Sequence, residues 1–289
     1  MADPPVSPLI SRLQLGRELR ALRVGMGITL EQVEADLDMS SSRLARIELG
    51  AQSVDAFTVR ALLDYYGASI DDRERLIDMA RATAKRPWWR VLGLTAQGYV
   101  ALEAEAVGVH NYEFGYVPGL LQTEGYARSL FEDQFPSSDV DRHLAIRINR
   151  RWRLEEGGPL TLHAIVNEVA LIHPIGSASI MADQLRYLAK AVDHPNITLQ
   201  MLPIARGLTP GLRGSFSLLM FPPHTIDDIG YHEHPAGSLR LPKRDETSTL
   251  RVTFTEVRKM ALDETESSRA FARLADVWEE GRIGDVPWS

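Results

Sequence analysis

The sequence predicts an α+β protein in which an all-α domain of five short helices precedes a larger, mixed α/β domain. Three observations carry that reading. Apolar residues recur at helical spacing in short, capped runs from Leu15 to Met79. Beyond "KRPWWR" the texture changes to β-branched and aromatic runs that alternate with helical patterns. At that junction Pro87 disfavours helix at Arg86, and the adjacent Trp88 and Trp89 are improbable on a free surface, so they are expected at an inter-domain or inter-subunit contact. The boundaries read as a flexible tail over 1–11, a helical domain over 12–86 and an α+β domain over 87–289.

In the helical domain, Leu15, Leu19 and Leu22 form the inner face of a first helix that "GMG" ends. Thr29 opens "TLEQ", a capping box with Gln32 that starts a second helix carrying Val33 and Leu37 inward. A third helix begins at about Ser40, buries Leu44 and Ile47, and stops at Gly50, a left-handed terminator. Ser53 and Asp55 announce a fourth with Val59, Leu62, Leu63 and Tyr66; a fifth runs from Asp71 to about Ala84. Farther on, "EGYARSLFEDQ" and "DVDRHLAIRINRRWRLEE" read as helices, the latter with Val140, Leu144, Ile148 and Trp152 on one face. "LTLHAIVNEVAL", "NITLQMLPI" and "SFSLLMF" read as strands, with "SIMADQLRYLAKAV" a helix between the first two. "DIGYHEH" and "SLRLPK" read as short edge strands, and two helices close the chain.

Composition bounds the function. The chain has 289 residues, 44% of them hydrophobic, enough for a core in each domain. Its apolar runs fall short of the ~20 residues a spanning helix needs, and the N-terminus lacks a basic start followed by an apolar stretch. A cytoplasmic protein without membrane association is expected. With no cysteine there is neither disulfide nor thiolate metal site. A net charge of −7 confines any nucleic-acid binding to a local patch.

The helix from Thr29 to Leu37 and that from Ser40 to Leu49 are joined by the tight "DMS" turn. The second presents Ser40, Ser41, Ser42, Arg43 and Arg46 opposite Leu44 and Ile47. Short hydroxyl side chains at a helix start let backbone amides approach phosphates, and arginine pairs bidentately with guanine or phosphate. On pattern alone an ordinary helical hairpin fits nearly as well. Over residues 12–86, however, "LGRELRALRVGMGITLEQVEADLDMSSSRLARIELG" resembles the lambda-repressor-like, Xre-type helix-turn-helix domain. The resemblance implies double-stranded DNA as partner, contacted from Thr29, Ser40, Ser41, Ser42, Arg43 and Arg46, and a structural ion pair between Arg23 and Glu48. Departures weaken the DNA contact. Leu30 and Ser41 stand where many members have glutamine, "AQSVDAF" lacks basic residues, and residues 1–86 hold 12 Lys/Arg against 13 Asp/Glu. Dimerisation should therefore matter.

"VPGLLQTEGYAR", "NEVALIHPIGSASIMADQLRYLAKA", "PNITLQMLPI" and "GLTPGLRGSFSLLMF" are similar to the large domain of unknown function that follows this helix-turn-helix in many high-GC bacterial regulators, including WhiJ-type developmental regulators. That resemblance implies a binding role, with a small acidic protein encoded nearby as one partner, and no catalysis. Residue by residue, His232 and His234 share a strand face with Glu233 between them and His224 upstream, but no third metal ligand is set by spacing. No "GxSxG" occurs, and "GLTPGLRGSF" fits no phosphate-binding loop. Arg147, Arg150, Arg151 and Arg153 read better as a solvated helix face than as a docking patch. Tyr112, Phe114, Tyr116, Leu120 and Leu121 suit either core or a ligand or partner pocket. The sequence thus predicts a homodimeric, sequence-specific transcriptional regulator that is no enzyme and takes no metal or cofactor. Its C-terminal domain senses a partner protein or a small effector whose identity is unknown. An antitoxin-like binding module with vestigial DNA affinity is the alternative.

Overall fold

The computed structural model describes residues 8–82, 98–155, 158–223 and 225–282. The chain forms two compact units, one reaching to Glu105 and including Pro222–Ile226, the other comprising Ala106–Phe221 and the residues from Asp227 onward. The division thus falls after Glu105 instead of at 86/87, because residues 98–105 add a short helix with buried Ala101 and Leu102 to the first unit. Trp88 and Trp89 lie outside the described residues.

The first unit contains α1 (Pro8–Gly25), α2 (Leu30–Leu37), α3 (Ser41–Glu48), α4 (Ala56–Tyr65), α5 (Ile70–Ala82) and α6 (Tyr99–Glu103). Residues 8–11, read from the sequence as tail, are the first turn of α1. Proline is tolerated there because the amide it lacks would have no intrahelical partner. Thr29, Ser40 and Asp55 cap the next three helices, each accepting an amide hydrogen from three residues on. Asp38 takes up the left-handed conformation (φ 52°) that turns the chain from α2 into α3. The core gathers Leu15 and Leu19 of α1, Val33, Leu44, Ile47 and the apolar face of α4. Leu30 packs against it from the start of α2. At Gly16 a side chain would stand 2.4 Å from the Ile47 carbonyl oxygen and 2.7 Å from that of Glu48, so glycine lets α1 approach the end of α3.

The second unit is built on a six-stranded mixed sheet. Its strands are β1 (Gly108–Glu113), β2 (Thr161–Asn167), β3 (Ile197–Leu202), β4 (Phe216–Met220), β5 (Ile229–His234) and β6 (Gly237–Leu241), in the order β3-β2-β1-β4-β5-β6. β1, β2 and β3 run parallel, and β4, β5 and β6 continue antiparallel. β5 is interior, so of the two expected edge strands only β6 is one. β1, central to the sheet, was invisible in "GVHNYE", where polar side chains interrupt the apolar alternation. "LTLHAIVNEVAL" is not one strand: it breaks at Asn167, whose Oδ1 accepts the Val169 amide at 2.9 Å and starts α9 (Val169–Ile172).

The remaining helices are α7 (Glu124–Gln134), α8 (Ser137–Arg151), α10 (Ala178–Ala191), α11 (Arg244–Met260) and α12 (Glu264–Glu279). Phe254 and Val257 of α11 cover one face of the sheet, packing on Tyr112, Ile165, Leu202 and Phe216. α10 packs along α12, and the Trp278 indole donates to the Leu171 carbonyl at 2.9 Å. On α8, Val140 and Leu144 are buried as expected, whereas Ile148 and Trp152 are 47% and 49% exposed. At 3.6 residues per turn, each four-residue step drifts about 40° around the helix, which carries the later two out of the buried stripe.

Candidate nucleic-acid interface

α2 and α3 meet through the left-handed Asp38 and expose the start of α3. Ser40, Ser42 and Arg46 are exposed, and Ser41 and Arg43 half-buried. Ser40 Oγ accepts the Arg43 amide at 3.4 Å and lies 3.4 Å from Ser42 Oγ. Neither Arg43 nor Arg46 forms an ion pair among the described residues. Arg46 is steadied only by its Nε, which donates to Gln52 Oε1 at 3.1 Å. Thr29 is committed to the start of α2: its hydroxyl accepts the Gln32 amide at 3.2 Å, while Gln32 Oε1 accepts the Thr29 amide at 2.7 Å.

One participant escaped sequence reasoning. Glu34 of α2 reaches across the turn, and its Oε2 accepts both the Ser41 amide, at 3.1 Å, and the Ser41 hydroxyl. Those two bonds, the hydroxyl's first, hold the Glu34 carboxyl below its ordinary pKa. A separation of seven residues across a turn has no sequence rule behind it, so nothing local pointed to this pair.

Behind the exposed face the structure brings Arg23 and Glu48 together. Arg23 Nε donates to Glu48 Oε1 at 2.6 Å and Nη2 to Oε2 at 2.9 Å, while Nη1 donates to the Ile28 carbonyl at 2.7 Å. The side chains are only 10% and 5% exposed. The bond to Glu48 raises the guanidinium pKa further, and this two-pronged contact joins the end of α1 to the end of α3.

Residues 14–76, which span α2, α3 and α4, match the helix-turn-helix domain model, which supports DNA binding by this unit. Residues 96–273 match the model described as "Domain of unknown function (DUF5753)". The chain belongs to that family. Comparison with curated proteins and with solved structures found no match. Among the described residues no helix is long and apolar enough to cross a membrane.

Within the DUF5753 domain the arginine stripe is not the solvated face its sequence implied. Arg150 and Arg153 are buried, and Arg153 Nη2 donates to the Ala106 carbonyl at 2.7 Å. The Arg151 guanidinium stacks 4.9 Å from the Tyr187 ring and donates to its hydroxyl at 3.0 Å, and that of Arg147 stands 5.1 Å from the Phe131 ring. Planar, weakly hydrated guanidinium groups tolerate such packing. The five candidate pocket residues differ in burial. Tyr112 is fully buried and accepts from Asn167 Nδ2 at 3.3 Å, with Phe114 packed on the same cluster. Leu120 and Leu121 are buried in a single turn of 3-10 helix (Gly119–Leu121), and Tyr116 is exposed. His232 and His234 stack with ring centroids 6.2 Å apart, and His232 Nδ1 lies 2.6 Å from the Ser215 carbonyl oxygen, to which it donates. His224 lies outside the described residues.

Proposed function

We propose that this protein is a sequence-specific, DNA-binding transcriptional regulator that acts in the cytoplasm as a homodimer, by binding and without catalysis. The single observation that carries the reading is α3, held by the Arg23–Glu48 clamp with Ser40, Ser42 and Arg46 exposed and both its arginines without an ion pair among the described residues, inside a segment that matches a helix-turn-helix domain. In such domains the second helix of the motif enters the major groove and its first residues meet base edges. A near balance of charge over residues 1–86 limits the phosphate contacts of one copy, which favours two copies on a two-part site. The DUF5753 domain then supplies the contact between copies and takes up the effector, a small molecule or a small acidic protein.

Gel retardation of DNA from upstream of the protein's own gene, with full-length protein, tests this. Arg46→Ala is expected to weaken binding by ~1–3 kcal/mol and Arg43→Ala to weaken cognate and scrambled DNA alike. Retention of full affinity by both variants would refute the role given to α3.

A further inference from the structure

Ser41, the first residue of α3, has spent its hydrogen-bond donors. Both donors of Ser41, amide and hydroxyl, end on Glu34 Oε2, so the Ser41 oxygen has only lone pairs left to offer. The Ser40 oxygen already accepts the Arg43 amide and shares a proton with Ser42. Glu34 is exposed and ionised, and a carboxylate accepts at both oxygens and donates at neither. The Glu34–Ser41 pair is therefore a negative edge that accepts and does not donate, where a helix start would otherwise attract a phosphate.

The geometry points to Glu34 as a base-reading residue which, with Ser41, selects the base that turns an exocyclic amine toward it in the major groove: cytosine through N4 or adenine through N6. This rests on the DNA-binding reading above and adds what the start of α3 recognises. Every base pair carries one such amine, on cytosine or on adenine, and opposes it with an acceptor on guanine or thymine. What is chosen is thus which strand bears the amine-carrying base. Guanine O6 and N7, or thymine O4, would set lone pairs against the carboxylate. Arg43 and Arg46, farther along α3, carry donors suited to guanine. The helix is therefore polar in what it reads, with acceptors at Glu34 and Ser41 and donors from Arg43 onward.

Selection from randomised duplex DNA by the full-length protein, by Glu34→Ala and by Glu34→Gln tests the inference. Wild type is expected to enrich cytosine or adenine at one position of each half-site. Glu34→Ala frees the Ser41 hydroxyl to donate and should lower that preference at least about fivefold while leaving the other positions unchanged. Glu34→Gln, neutral and able to donate, should admit guanine or thymine there. Unchanged preferences in both variants overturn the inference and leave DNA binding standing. A wild-type protein that enriches no sequence overturns the DNA-binding reading and this inference with it.

Discussion

Tyr66 is 1% exposed, and its hydroxyl has no hydrogen-bond partner among the described residues. Burial, then the nearby Glu48 charge, raises its pKa well above that of an ordinary phenol. An unpaired buried hydroxyl costs about 1–3 kcal/mol, so Tyr66→Phe is expected to stabilise the protein, read as a higher denaturant midpoint. A lower midpoint would mean the hydroxyl is satisfied. In the second unit His110 stacks on Phe254 at 4.5 Å, edge-on to His163. Burial first, then the charges of His163, Arg251 and Arg258, lowers its pKa to about 4. The unfolded chain takes up this proton near pH 6.5 and the folded one does not, so stability is lost as pH falls from about 6.5 toward 4. Burial of Glu113 acts oppositely. With a folded pKa raised to about 7, it costs stability as pH rises from about 4.5 to 7. The two slopes oppose each other, so melting midpoints between pH 4 and 8 should separate them by variant. His110→Phe is expected to flatten the acid side, and Glu113→Gln to flatten the neutral side and stabilise above pH 7. Variant curves running parallel to wild type would contradict both assignments.

Between elements, the decisive contact of the first unit is α1 on α3. Glu48→Ala leaves the buried Arg23 guanidinium with only the Ile28 carbonyl as an acceptor among the described residues, and removing one partner of a buried pair costs about 3–5 kcal/mol. Gly16→Ala places a methyl group against two carbonyl oxygens of α3 and is expected to cost about 1–3 kcal/mol, because backbone cannot swing aside as a side chain can. Thermal melts of the full chain, with the exposed Glu74→Ala as a surface control, check both. A shift no larger than the control's would show that α3 is held by its apolar face alone. On the role proposed for α3, both variants should also weaken DNA binding at temperatures where the fold persists.

For the whole molecule, two-part DNA sites imply two recognition helices about 34 Å apart, one turn of the double helix. Sedimentation of the full-length protein is expected to give twice the mass of one chain, and footprints should show two protected half-sites at that spacing. A monomer at concentrations that retard DNA would remove the dimer from the proposal. The net charge of −7 opposes approach to DNA.

The sequence alone determined the helices around the candidate interface. Thr29, Ser40 and Asp55 act on amides three residues away, and Val33, Leu44 and Val59 bury at helical spacing, so both signals are local. It determined the α+β class for the same reason, and most strands of the second unit from their β-branched runs. Only the tertiary structure decided what depends on distant neighbours. β1 is a strand because β2 and β4 flank it, although its own residues alternate poorly. Arg153 is interior with its planar group on the Ala106 carbonyl, far along the chain, and Arg151 packs on the Tyr187 ring, where the sequence showed only a charged stripe. Glu34 meets Ser41 because Asp38 turns the chain left-handed between them, a backbone choice no composition or periodicity encodes.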